Sequence, residues 1–364
     1  MAHSNAAATM LTTVRVPTTI GLDLSDRVSH FHVLRGDDRT LATGIVSTQR
    51  GDLSALFERW RGCRLVIEAG GHSPWISRLG AECGLEVIVA NPRKLEMIFK
   101  NLRKTDRVDA ELLARAGKSD VALLSPITHR SAQAQAHLAV RDARNAAVSQ
   151  RTALINFVRG KLKSSGYRAP SCSPESFPGK ARKVLPQELE LALRSILQLI
   201  EQTNQHIKVF DQNIQRLCDE QYPVTKLLQQ IPGVGPIVAL SFALTIDDPK
   251  RFRGRRVGAY LGLVPRKKSS GERDPQLHIT KAGDHEMRRL LVLSANYILG
   301  RFGPDCDLRR FGRKIAGEGS AANKKRARVA VARRLAVLMH RLWTTGEVYD
   351  PLYLAKKRGE LAVA

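Results

Sequence analysis

The chain has 364 residues with 59 Lys and Arg against 34 Asp and Glu, and its formal charge of +25 points to polyanionic partners. No run approaches the roughly 20 apolar residues that a bilayer crossing needs, and the N-terminal stretch (residues 1–16) lacks a basic leader and a long apolar segment, so a loose tail is expected instead of a signal peptide. Five cysteines (Cys63, Cys83, Cys172, Cys218 and Cys306) are scattered without CxxC or Cys/His pairs, which argues against a disulfide framework and a zinc site and favours a reducing cytoplasm.

Residues 17–24, PTTIGLDL, form a short apolar run containing Asp23, and SHFHVLR and LATGIVS follow at strand length with polar turns between them, predicting a meander of three strands. A helical LSALFERW, a strand-like CRLVIEAG carrying Glu68, a helical PWISRLGAECG and a strand-like LEVIVANP come next. Strands first, then alternating helices and strands, describe an α/β sheet whose reactive groups gather at strand ends. After residue 110 the chain reads almost wholly as helix. Leu189, Leu193, Ile196, Ile200, Thr203, Ile207, Phe210, Ile214 and Leu217 recur at alternate spacings of four and three, a heptad seam that predicts a coiled coil. A helix over about 131–163 is a candidate intramolecular partner, with the Ser-, Pro- and Gly-rich residues 164–180 as the loop between them; an outward seam would instead dimerise the chain. The last third carries IPGVGPIVAL, an arginine-rich stretch leading to GLVPRKKSSGERD, then ITKAGDHEMRRLL and a basic helix NKKRARVAVARRLAVLMHRLW, before a tail over 349–364 expected to be disordered.

Four carboxylates stand out from this basic background: Asp23 and Glu68 at strand ends, and Asp106 with Asp109 in RKTDRVDAELLAR. The last two share a helix face. Such a set can hold two Mg²⁺ ions roughly 4 Å apart, flanking a phosphodiester, with Mn²⁺ as the alternative. Arg103, Lys104, Arg107 and Arg115 would then hold the nucleic-acid backbone. The plainer reading is that the strand-end acids are turn or cap residues and that the DxxD pair is salt-bridged to its arginine neighbours.

The order Asp, then Glu on a later strand, then DxxD opening a helix is the arrangement of RNase H-like nucleases. With GLDLSD, VIEAGG, KTDRVDAELLA, IPGVGPIVAL, AYLGLVPRKKSSG and ITKAGDHEMRRLL in that order, the chain resembles, from about residue 17 to 345, the DEDD transposases of the IS110 insertion-sequence family, relatives of the Piv-type DNA invertases. The resemblance implies an RNase H-like (RuvC-like) α/β domain over 17–125, an all-α helical hairpin or coiled coil over 126–224, and a helical C-terminal transposase domain over 225–348. It implies that Asp23, Glu68, Asp106 and Asp109 bind Mg²⁺, and that Ser270, in an SG motif following GL-P, forms a transient phosphoserine bond to DNA, with Ser269 as the nearest competitor. It also implies guidance by a structured RNA from the element, and a homo-oligomer, dimer or tetramer, that joins double-stranded element ends to a target. One departure is EAGGHSPW, where many relatives read EATG followed shortly by Tyr.

Basic neighbours of Ser270, namely Arg266, Lys267, Lys268 and Arg273, can offset charge on a phosphorane. The glycines of IPGVGP, Gly233 and Gly235, let backbone N–H groups approach a phosphate as in a helix-hairpin-helix, or serve only the packing of a turn. Lys281, His285, Arg288 and Arg289 form a candidate phosphate clamp, His285 reading as a backbone contact or surface residue. The basic helices carry few aromatics, which favours backbone contact over base stacking. Rival readings are a RuvC-like Holliday-junction nuclease, which needs no Ser270, and a non-catalytic RNA-binding scaffold of the Nop kind, which needs no carboxylates.

Overall fold

A computed structural model describes residues 18–93, 105–268, 270, 275 and 277–359. The expected N-terminal tail (1–16) therefore lies outside the described residues. The chain divides into two compact units, one through His129 and one from Arg130.

The first unit is built on β1 (Thr19–Asp23), β2 (Val28–Leu34), β3 (Thr40–Ser47), α1 (Arg50–Arg59), β4 (Arg64–Glu68), α2 (Ser73–Glu82), β5 (Glu86–Ala90) and α3 (Asp106–Ser119). The strands form one mixed sheet in the order β3-β2-β1-β4-β5, antiparallel from β3 to β1 and parallel from β1 to β5. The meander and the two later strands thus appear as predicted, in an arrangement compatible with an RNase H-like domain.

Side-chain parity decides what each face carries. Ile20 and Leu22 of β1 and Leu65 and Ile67 of β4 join Leu53 and Phe57 of α1 and Ile76 and Leu79 of α2 in one core. The intervening positions look the other way, toward α3, where Val66 and Ala90 pack with Leu113 and Leu124. α3 lies so close to the sheet that a Cβ on Gly21 would stand 2.0 Å from the Ala110 carbonyl oxygen and 2.5 Å from the Ala114 nitrogen. At Gly117 of α3, a Cβ would meet Val66 Cγ2 at 2.2 Å. Gly21 is needed here for proximity, not for its backbone angles.

The second unit opens with α4 (Ala132–Ser164) and α5 (Gln187–Glu220), which pack as an antiparallel hairpin. Leu193, Leu197 and Ile200 meet Ile155, Val158 and Leu162 at one end, while Ile214 and Leu217 meet Ala134 and Leu138 at the other. The heptad seam therefore faces its own chain. The connecting stretch is more than a loop, because residues Phe177–Arg182 form a short helix whose Phe177 and Ala181 are buried in the hairpin core. The hairpin base also buries Leu240 and Leu244 of α6 (Pro236–Ile246). The remaining core gathers α6, α7 (His285–Leu299), α8 (Asp307–Ala316) and α9 (Ala321–Thr345) around Phe242, Leu291, Ile298, Val331, Leu335 and Met339.

The expectation of disorder over 349–364 is corrected for the described part of that tail. Residues Tyr353–Lys357 form a helical turn, Ala355 is fully buried, and the Asp307 carboxylate accepts from the backbone nitrogens of Leu354 and Ala355. A carboxylate capping a helix start is a tertiary interaction, which local composition does not encode. Among the described residues no helix is long and apolar enough to cross a membrane.

The contact at Gly21 yields a first prediction. Gly21→Ala should destabilise the N-terminal unit by about 3 kcal/mol or more, the upper end of overpacking costs, because the obstruction is helix backbone and no side chain can rotate away. Gly51→Ala, where nothing stands within 4 Å of the added carbon, should be neutral or mildly stabilising. Urea unfolding of the two variants beside the wild type checks this.

Candidate active site

Asp23 follows Gly21 by two residues, so it shares the face of β1 that α3 covers, and Glu68 shares the equivalent face of β4 with Val66. Asp106 and Asp109 occupy the first turn of α3, which Thr105 caps by accepting from the Val108 backbone nitrogen at 3.4 Å. Acids in a first helical turn complement the helix dipole, so local stability and site chemistry favour the same residues there. The four meet electrostatically at Asp23. Its carboxyl is pushed up to about 6, first by burial and then by the charges of Asp109, Asp106 and Glu68, with His30 opposing.

Mutual repulsion among four carboxylates is a standing invitation to a cation, and an all-oxygen set suits a hard divalent ion. Among the described residues no three His, Cys, Asp or Glu side chains stand as a ready-made metal cluster. The oxygen donor chemistry fits a hard divalent cation, and Asp23, Glu68, Asp106 and Asp109 are the residues that would hold one.

The salt-bridge reading of the DxxD pair receives no support at Asp106, whose ion pair is with His30 of β2 (Nδ1 to Oδ2, 3.7 Å). Arg115 pairs with Glu111 and Asp38, while Arg107 is exposed. Arg103 and Lys104 lie outside the described residues. In the divergent EAGGHSPW segment, His72 pairs with Asp26 at 3.1 Å and its Nδ1 accepts from the Trp75 indole N–H at 3.2 Å. Ser73 bonds both the backbone of Gly70 and the His129 imidazole.

Ser270 is exposed in the second unit, as are Arg266, Lys267 and Lys268, while Ser269 and Arg273 lie outside the described residues. The loop is tied at its base by an antiparallel bridge between Pro265 and Ile279, with the Arg266 nitrogen donating to His278 and the Thr280 nitrogen to Val264, each at 2.9 Å. Arg288 reinforces that base. It is 8% exposed and its guanidinium donates to the carbonyls of Leu261 (3.2 Å) and Ala282 (2.6 Å). This corrects its assignment to a phosphate clamp: burial and two carbonyl acceptors give it the work of holding the loop. Helical spacing with Lys281 also fails, since α7 begins at His285 and Lys281 precedes it with φ 55°. Lys281 and Arg289 are exposed, the latter paired with Glu286.

Known proteins place the chain in a family. Residues 20–166 match the model of a DEDD family described as a transposase of IS110 type, and residues 225–309 match one described as Transposase IS116/IS110/IS902 family. The chain belongs to the IS110/IS116 family of DEDD transposases. Among relatives of this transposase, a putative transposase y4pF/y4sB of Sinorhizobium fredii is 29% identical across 91% of this chain and 85% of its own length. The transposase for insertion sequence element IS1111A of Coxiella burnetii is 29% identical (79% of each chain), and that for IS1328 of Yersinia enterocolitica is 26% identical (92% and 98%).

In the transposase, the IPGVGP turn serves packing and leaves a surface open at once. Gly233 has φ +79°, and a Cβ there would press on Tyr297 and the Ser294 carbonyl, whereas Gly235 is exposed with open space around it. The turn borders a groove of about 720 Å³ whose lining includes Arg144, Gln229, Arg289 and Tyr297. Sequence reasoning missed His30, although the alternation of SHFHVLR gave a signal: β2 pairs His30 with Asp23 across the ladder. It also missed Asp284, which caps α7 through the Met287 nitrogen and pairs with Arg130 and Arg141.

The raised carboxyl of Asp23 predicts a pH signature. A group that binds its proton more tightly when folded favours the folded state below its ordinary pKa and loses that contribution as pH rises through the folded value. Stability of the cation-free wild type relative to Asp23→Asn should therefore fall between about pH 4 and 6 and level off above, so the variant is the more stable at neutral pH. Denaturation midpoints of the two proteins across that range check the sign.

Proposed function

We propose that this insertion-sequence transposase cuts and rejoins DNA strands by a reaction that needs both the carboxylates Asp23, Glu68, Asp106 and Asp109 and a nucleophilic serine, Ser270. The observation that carries the reading is the convergence of three acidic charges on the half-buried Asp23. A structural set of caps would have no reason to accumulate that repulsion. A Mg²⁺ ion bound by these residues would neutralise charge on the phosphate oxygens, with Mn²⁺ as a substitute.

Ser270 Oγ attacks a phosphodiester phosphorus, its proton passes to a general base, and the displaced bridging oxygen leaves as a protonated hydroxyl. A P–O bond of DNA is thereby exchanged for a phosphoserine ester. Attack by another strand's hydroxyl reverses the exchange, frees Ser270 and restores a phosphodiester, so rejoining needs no nucleotide cofactor. Arg266, Lys267 and Lys268, exposed beside Ser270, would offset the phosphorane charge. Arg107, Lys281, Arg289 and the Gly233–Gly235 turn supply further backbone contacts, as would Arg103, Lys104 and Arg273. Few aromatics interleave these cations, which supports backbone contact with sequence choice delegated to an element-encoded guide RNA. A homo-oligomer would bring element ends and target together.

The test is to express the gene with its native flanking DNA and amplify across the outward-facing ends. A circular junction is expected from wild type and Ser269→Ala, and none from Ser270→Ala or Asp109→Ala. A junction that persists in Ser270→Ala would remove the phosphoserine step and favour a RuvC-like nuclease reaction with water as nucleophile. In a second experiment, replacing Arg266, Lys267 and Lys268 together with Ala should weaken DNA binding across unrelated sequences. The dependence of log K on log salt should become shallower by about 2.7, if each cation neutralises one phosphate. An unchanged slope would place the phosphate contacts elsewhere.

A further inference from the structure

We infer that His30 is a positioning residue of the acidic site, its imidazole Nδ1 holding Asp106 in the orientation from which that carboxylate receives a divalent cation. This rests on the reading of the four carboxylates as a cation site. His30 belongs to β2, which is laddered on both sides, to β1 and to β3. Its backbone is therefore fixed, and the register sets it opposite Asp23 on the sheet face that α3 covers. Its Nδ1 is buried and makes no hydrogen bond among the described residues. A buried ring nitrogen without a partner is costly, which implies that a partner approaches in some working state.

Asp106 is the group placed to approach. Its Oδ2 is 3.7 Å from Nδ1, beyond hydrogen-bond range, and its side chain is 64% exposed at the start of α3, with room to rotate. Closing that gap converts a loosely held carboxylate into one with a fixed oxygen facing the site. His30 stands on a strand paired on both sides while the Asp106 carboxylate is exposed, so His30 acts as the anchor. Metal-binding carboxylates are held in this way by outer hydrogen bonds, whose loss typically costs about ten- to a hundredfold in metal affinity.

The test uses the full-length protein without DNA, titrated calorimetrically with Mg²⁺ and with Mn²⁺. His30→Leu fills the same position in the sheet but cannot donate, whereas His30→Asn returns an N–H near the Nδ1 position. The Leu variant should fold with a wild-type thermal transition and bind either ion about ten- to a hundredfold more weakly. The Asn variant should recover most of the affinity. Wild-type affinity in the Leu variant would overturn the proposal, as would an Asn variant no better than Leu.

Asp109→Ala separates the proposal from the reading beneath it. If that variant binds both ions as wild type does, the cation site itself fails. The pairing is then still decided by ¹⁵N spectra of histidine-labelled protein, which need no metal. Asp106→Asn should move the His30 Nδ1 resonance, and a resonance that stays in place would overturn the inference.

Discussion

Everything chemical in the first unit depends on how closely α3 lies on the sheet. That distance is set by glycine and alanine: Gly21 beneath the backbone of Ala110 and Ala114, and Gly117 against Val66. A helix normally rides about 10 Å from a sheet because side chains separate them, much as stacked sheets do. Here the side chains are missing at the crossing, and the first turn of α3 descends onto the end of β1. The carboxylates are brought together by an absence of bulk, and no interaction among the carboxylates themselves would do it.

That construction has to work against electrostatics. Repulsion among the four acids opposes the stability of the empty fold, and the raised carboxyl of Asp23 reflects part of the conflict. The opposing contribution is apolar: Ile20, Leu22, Leu65 and Ile67 on the far face of the same two strands are fully buried against α1 and α2. Parity therefore divides each strand between a face that folds the unit and a face that strains it. Stability sacrificed at an acidic cluster is a common mark of a working site, and a bound cation or an added proton relieves it.

Much of this was legible in the sequence, and for identifiable reasons. Strand alternation and the acids at strand ends are local signals, so the meander, β4, β5 and the DxxD helix start were all readable before any coordinates. The heptad seam was readable too, and only its partner was open until Ile155, Val158 and Leu162 were found against Leu193 and Ile200. What escaped was tertiary. Arg288 looks like any arginine in a basic helix, yet burial beneath the Leu261 and Ala282 carbonyls makes it part of the scaffold. His30 looks like a polar position on a half-exposed strand until the register sets it across from Asp23. The docked turn Tyr353–Lys357 depends on Asp307, nearly fifty residues earlier, and no local composition reports that pairing.

The loop of Ser270 repeats the logic of the acidic site with different parts. Gly262 lies at φ +68°, and a Cβ there would stand 2.3 Å from both the nitrogen and the oxygen of Ala282, so the two arms of the loop base run backbone to backbone. Arg288 then fastens both arms, its guanidinium donating to the Leu261 carbonyl on one and the Ala282 carbonyl on the other. Bulk is again removed at a crossing, a few residues along the chain from Ser270. Ser270 itself stays exposed among exposed cations, which a substrate phosphate can reach without displacing core. A glycine-mediated base with the exposed Ser270 beyond it suits the nucleophile proposed above, which must receive a large, stiff polyanion and later release it.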